Sequence, residues 1–179
     1  HPCQVLADLL TIREHKERLE GLKLVYVGDG FNVASSLLAA APRLGLSITL
    51  ACPEGYDPGP DAIATARALA DDPTTVEIVR DPREAVAGAD AVYTDSWISM
   101  GLEDETEARL RAFDGYQVDA ALMALAGPDA IFMHCLPAHR GQEVTDEVMD
   151  GPQSVVFDQA ENRLHTQKAL LVQLIRGPV

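Results

Sequence analysis

Six short β-rich runs, at 22–27, 47–51, 75–79, 91–94, 131–134 and 154–157, alternate with stretches of helical periodicity. That alternation constrains the fold more than any average over the composition. Residues 5–19 place Leu6, Leu9, Leu10 and Ile12 at helical spacing before the Glu20-Gly21 break. Residues 33–44 form a second helix closed by Gly45, and 62–70 a third. Segments 83–87, 119–125 and 167–175 supply further helices. Strands and helices in this order build a doubly wound α/β domain, a mostly parallel sheet with helices on both faces. With 179 residues and no internal repeat or long linker, the chain reads as one Rossmann-like domain. Its first and last helices are expected to pack on a partner domain outside the chain. The opening at His1, inside a helical segment and without an initiator Met, reads as an excised piece of a longer protein.

A formal net charge of −14 argues against nucleic acid and anionic membrane surfaces as partners, because both require basic patches. A small zwitterionic or anionic substrate stays open, since a few local cations override the global field. No apolar run approaches the roughly 18 residues of a membrane span. Cys3, Cys52 and Cys135 are odd in number, without a CxxC pair or secretory leader, so free thiols in a reducing cytoplasm are expected.

In parallel α/β sheets ligands gather outside the carboxyl ends of strands, and three of those ends carry polar loops. Gly28-Asp29-Gly30-Phe31-Asn32 begins like a dinucleotide fingerprint but has Val33 at the third glycine position, so the fingerprint fails. It is either a tight turn or a ligand loop, in which Asn32 can cap the next helix and face a carboxylate. Asp95 either caps a turn or works with the Ser99 hydroxyl and the Gly101 backbone N–H. Together these offer acceptors for an ammonium and a donor for a carboxylate, the two ends of an α-amino acid.

Cys135 alone would pass for a small buried hydrophobe; its place between the run 130–133 and Pro137 sets it at the sheet rim. His134 and Cys135 lack further Cys or His at zinc-ligand spacing, so no metal is expected. His139 and Arg140 read as surface loop residues, His165 and Gln167 as structural ones. Arg163, in Glu161-Asn162-Arg163 at the expected start of the last helix, is disfavoured there by the macrodipole. It either pairs with Glu161 or Asp158, or grips an anion as a bidentate fork. His1 and Gln4 lie on adjacent turns of the first helix, close enough to present toward one ligand.

The clusters His1-Pro2-Cys3-Gln4, Asp95-Ser96-Trp97-Ile98-Ser99-Met100-Gly101, His134-Cys135-Leu136-Pro137 and Glu161-Asn162-Arg163, in this order, resemble the ornithine branch of the carbamoyltransferase family. The resemblance spans the chain and implies the second, amino-acid-binding domain of a two-domain enzyme, residues 1–179. The carbamoyl-phosphate-binding first domain, with its Ser-Thr-Arg-Thr phosphate loop, lies outside this sequence, so the piece alone is expected to be close to inactive. By resemblance, Asn32, Asp95, Ser99 and Met100 hold ornithine. His1, Gln4, Cys135, Leu136 and Arg163 face carbamoyl phosphate, and Cys135, Asp95, His1 and Arg163 carry the chemistry. Phe31 stands where many relatives carry a polar residue. The resemblance further implies no cofactor, a parent enzyme that is a homotrimer or a multiple of trimers, a cytoplasmic location, and a place in arginine metabolism. The alternative is a Rossmann-like nucleotide- or amino-acid-binding module without catalysis.

The implied reaction is attack of ornithine's neutral δ-amine on the carbonyl carbon of carbamoyl phosphate, expelling phosphate and leaving citrulline. That amine, like Lys with a pKa of about 10.4, is mostly protonated at neutral pH, so the site must favour its neutral form. Cys135, as a thiolate beside Asp95, is the expected proton acceptor, and His1 and Arg163 are expected to polarise the carbonyl oxygen.

Overall fold

In the computed structural model, which describes residues 1–98, 101 and 103–177, five strands form one all-parallel sheet. These are β1 (Lys23–Val27), β2 (Ser47–Ala51), β3 (Val76–Val79), β4 (Ala91–Thr94) and β5 (Ile131–His134), in the spatial order β3-β2-β1-β4-β5. The strands β4 and β5 are buried along their whole length, which is why they read in sequence as continuous apolar runs. Alternate residues of each strand face two separate cores. Leu24, Tyr26, Tyr93 and Met133 point into one, and Val25, Val27, Val92 and Phe132 into the other.

The first core is covered by α1 (Pro2–Lys16), α2 (Val33–Ala40) and α3 (Pro60–Leu69), through Val5, Leu9, Ile12, Leu37 and Ala66. The second is covered by α4 (Pro82–Val86), α6 (Ala120–Met123) and α7 (Asp146–Met149), with Phe113 closing the end of α5 (Thr106–Ala112). The last helix, α8 (Val156–Arg176), lies along α1. The doubly wound expectation therefore holds. Among the described residues no helix is long and apolar enough to cross a membrane.

Three local readings are corrected. Residues 154–157 are not a strand: Ser154 makes one isolated bridge to Phe132, and Val156 already begins α8. The run Ser154-Val155-Val156-Phe157 is apolar enough for either period. Burial of Val155, Val156 and Gln159, with Phe157 exposed, shows that the helical one won. As a result Arg163 sits seven residues beyond the start of α8, past the first turn where the macrodipole acts. The first helix begins earlier and ends sooner than its apolar spacing suggested. Pro2 initiates it, and Glu17, at φ 62°, stops it in the left-handed region. Finally, α5 and α7 fall in segments that sequence periodicity left unassigned.

Gly30 decides how the first strand-end loop can pass the next one. A Cβ there would lie 2.3 Å from the Pro58 nitrogen and 2.4 Å from its Cδ. Gly30→Ala must displace the 57–58 backbone. It is expected to destabilise this chain by about 1–3 kcal/mol, the usual cost of overpacking, read as a lowered urea midpoint at unchanged slope.

Candidate active site

The chain runs β1, β2, β3 outward to one edge and then returns to β4 on the other side of β1. The carboxyl ends of β1 and β4 thus flank the topological switch point, where adjacent loops diverge and leave a crevice. A cavity of about 670 Å³ opens there. His1, Gln4, Asn32, Asp95, Cys135, Leu136 and Arg163, chosen from sequence, all line it, although they come from α1, α8 and three strand ends. Ser99 and Met100, the other two expected ornithine contacts, lie outside the described residues.

Asp95 and Cys135 meet at the centre. The Cys135 thiol donates to Asp95 Oδ1 at 3.0 Å, and the same oxygen accepts from the Ser96 backbone N–H at 2.7 Å. Burial pushes the Cys135 thiol well above its ordinary pKa, and the neighbouring Asp95 carboxylate pushes it further. Both effects oppose the expected thiolate and favour a thiol that donates its proton to Asp95.

The Asp95 and Cys135 loops are tied together. Ser96 Oγ donates to the Pro137 carbonyl at 3.1 Å and lies 3.2 Å from His139 Nδ1. His139, expected at the surface, is half exposed but lines the cavity. Leu136 sits at φ 56° before a cis peptide bond to Pro137. Its N–H donates to His134 Nδ1 at 2.9 Å. That bond fixes the proton of His134 on Nε2, which faces Glu143 Oε1 at 3.3 Å. Glu143 also accepts from the His139 backbone N–H. The buried His134–Glu143 pair thus braces the Cys135 loop from below.

The side chains of Asp95, His134 and Cys135 come close enough to suggest a metal cage. Both His134 nitrogens are already used within the protein, however, and Asp95 shares the Cys135 proton, so the donors are committed elsewhere.

On the α8 side, Arg163 Nη1 donates to Gln4 Oε1 at 2.7 Å. With the Gln167 amide oxygen turned toward the guanidinium, it accepts from Nε at 2.9 Å and Nη2 at 3.2 Å. The carboxylates proposed as partners are occupied elsewhere: Asp158 faces His15 at 2.9 Å and Glu161 faces His165 at 3.4 Å. Among the described residues no carboxylate lies within 4.0 Å of Arg163, so neutral amides aim a cation into the cavity. Arg140, read as a surface residue, pairs with Asp146 and Asp150 away from it.

Asn32 occupies the N-cap position of α2 at φ 49°, but its side chain makes no capping hydrogen bond, contrary to expectation. Ser35 Oγ instead donates to the Gly30 carbonyl, and Asp29 Oδ1 accepts from the Phe31 N–H. Asp29 Oδ2 is gripped by Arg109 Nη1 at 2.5 Å, and that guanidinium also donates to the Trp97 carbonyl at 2.9 Å. Arg109 was missed with its helix. The Glu105–Arg109 spacing of four, an ion pair at 3.0 Å, was the signal that could have found it.

A doubly wound sheet with an acid, a thiol and an amide-held arginine at its switch point defines an α/β domain with a polar cavity of a size for a small ligand. Comparison with known proteins makes this specific. The profile for "Aspartate/ornithine carbamoyltransferase, Asp/Orn binding domain" matches residues 20–174, and the chain belongs to that family. It is 59% identical over 176 residues to the ornithine carbamoyltransferase of Acidothermus cellulolyticus, covering 98% of this chain and 56% of that one. It is 57% identical over 178 residues to the one from Gloeobacter violaceus, covering 99% and 57%. The solved ornithine carbamoyltransferase from Pyrococcus furiosus superposes with a TM-score of 0.91 at 54% identity, over 96% of this chain and 55% of that one. The chain thus spans little more than half the length of the relatives it matches.

Proposed function

We propose that this chain is the ornithine-binding half of a carbamoyltransferase that moves the carbamoyl group from carbamoyl phosphate to the δ-amine of L-ornithine, giving L-citrulline and phosphate. The single observation that carries the reading is the convergence of Asp95, Cys135, Asn32, Gln4 and Arg163 on one cavity at the switch point. Asn32 and Asp95 hold the amino-acid head group, together with Ser99 and Met100. His1, Gln4, Leu136 and Arg163 face the carbamoyl group.

The amine nitrogen bonds to the carbonyl carbon while the carbonyl π pair moves onto oxygen, opposite Arg163 and His1. The nitrogen then loses a proton to the Cys135–Asp95 pair. Sulfur accepts it only as its own proton passes to Asp95 Oδ1, so the carboxylate is the net acceptor. Collapse of the tetrahedral intermediate breaks the carbon–oxygen bond to phosphate, whose electrons leave with the phosphate. No cofactor enters this sequence.

Carbamoyl phosphate requires a second domain to grip its phosphate. The solvent-facing apolar residues Leu164, Leu171 and Ile175 of α8, 57–81% exposed, line a groove with Arg163 and suit a covering surface of that kind. As the family resemblance implies, the parent enzyme would be a homotrimer or a multiple of trimers in the cytoplasm.

The test is citrulline formation from ornithine and carbamoyl phosphate, with putrescine and aspartate as parallel acceptors. The two-domain polypeptide should turn over ornithine alone, and this chain by itself should stay at background because half the positioning is missing. Binding to this chain should survive. L-Norvaline, which is ornithine without its terminal amine, is expected to bind, and Asp95→Ala should weaken it at least about tenfold, the loss of one charge-assisted contact. Product from putrescine or aspartate instead would overturn the assignment.

A further inference from the structure

Between the two halves of the cavity runs a buried polar chain that the proposed chemistry does not use. Its centre is Asp8, fully buried on α1. Asp8 Oδ1 accepts from Gln4 Nε2 at 2.8 Å and from Gln159 Nε2 at 2.7 Å; Oδ2 accepts from the Tyr93 hydroxyl at 3.3 Å. Gln159 also donates to the Tyr93 oxygen at 3.1 Å, and its Oε1 accepts the His134 backbone N–H at 2.9 Å. At one end Gln4 passes the contact to Arg163. At the other, Tyr93 influences the Cys135 thiol, lowering its pKa against the effect of burial, and that sulfur donates to Asp95. Asp8 therefore joins Gln4, and through it Arg163, to the Tyr93 hydroxyl and Gln159 on the Cys135 side.

We propose that Asp8 is a positioning residue for the transfer reaction. As an acceptor-only carboxylate it fixes the amide orientation of Gln4 toward Arg163 and the hydroxyl direction of Tyr93 beneath Cys135. This inference rests on the carbamoyltransferase reading. An ionised carboxylate offers no proton, so Gln4 must turn its NH₂ inward and its carbonyl outward, where it receives the Arg163 N–H. If Asp8 offered a donor at Oδ1 instead, Gln4 would reverse and set an NH₂ against the guanidinium, loosening the cation that faces the carbonyl. Tyr93 responds in the same way. Ionised Asp8 claims its proton, whereas an Asp8 carrying its single proton on Oδ2 would leave Gln4 in place, donate to the phenol oxygen and turn the Tyr93 hydrogen away from Asp8.

Burial raises the Asp8 pKa to about 6, against the lowering effect of Gln4, Gln159, Tyr93 and the charge of Arg163. The other group facing it is Cys135, whose thiol its charge pushes upward. A carboxyl raised in this way contributes stability below its unfolded pKa of 3.8 and loses it as pH rises through 6. Asp8 is therefore held ionised at neutral pH against the interest of folding, which favours a role in the site over one in packing.

The test uses the two-domain polypeptide and the pH profile of citrulline formation. Turnover of the unaltered enzyme should fall on the acid side of about pH 6. Asp8→Asn should abolish that acid limb and lower kcat roughly 10–100-fold, the usual loss when a supporting hydrogen-bond partner is removed. KM for ornithine should stay within about threefold, because Asp8 touches none of the proposed ornithine contacts. Tyr93→Phe keeps the ring and removes one bond that favours the ionised form, so its limb should move to higher pH. If Asp8→Asn fails to fold, Tyr93→Phe decides alone. An acid limb unmoved in whichever variants fold, whatever the loss of melting temperature, would overturn the proposal and leave Asp8 a structural residue. If the unaltered enzyme makes no citrulline, the functional reading itself fails and this inference falls with it.

Discussion

Arg163→Ala is expected to lower the citrulline formation proposed for the two-domain enzyme by about 10²–10³-fold, the range found when one donor to a developing oxyanion is removed. The expectation rests on how the guanidinium is held. Its partners are the amide oxygens of Gln4 and Gln167, which orient a cation without neutralising it. A surface ion pair with Glu161 or Asp158 would have spent the charge locally; those acids face His165 and His15 instead. On the proposed mechanism, the positive charge would thus be available where negative charge develops on the carbonyl oxygen and then on the departing phosphate. Arg163→Lys should restore only part of the rate, because an ammonium cannot engage both amides and an oxyanion in one plane. The discriminating measurement is kcat at saturating ornithine, with the melting temperature recorded alongside. A normal rate in Arg163→Ala would remove the residue from the mechanism.

The five strands, and the meeting of the candidate residues at one cavity, were legible in sequence for one physical reason. Strands 47–51, 91–94 and 131–134 are buried on both faces, so their apolar runs are short, dense and bounded by turn residues. The polar clusters then fall at their carboxyl ends. What escaped were relations between residues far apart in the chain. Nothing in the local spacing of Asp8 says that its carboxylate will meet Gln159, 151 residues away. In sequence it is simply a polar interruption on an apolar helix face. Protonation was equally hidden. Cys135 next to an acid reads as an activated pair until burial and the direction of the S–H···O bond are known. The run 154–157 failed because four apolar residues carry too little period to separate strand from helix.

The largest stability effect is expected from Arg109→Met. Arg109 and Asp29 keep side-chain exposures of only 8% and 10%, with Nη1 2.5 Å from Oδ2. The guanidinium also lies 5.0 Å over the Tyr56 ring, beside the stacked Trp97 and Phe113. Removing the cation leaves Asp29 as an unpaired buried charge, which costs about 3–5 kcal/mol, a large share of the total for a domain of this size. Combining it with Asp29→Asn removes the stranded charge and should recover much of the loss, a non-additivity that a double-mutant cycle in urea would measure. The consequence reaches the site, because Asp29 lies in the loop that carries Asn32 and Arg109 holds the Trp97 carbonyl just beyond Asp95. L-Norvaline binding should therefore weaken in Arg109→Met under conditions where the domain is still folded. A loss below about 1 kcal/mol, the value of an exposed pair, with norvaline binding intact, would mean that the Arg109–Asp29 contact neither anchors the fold nor holds the two ligand loops in register.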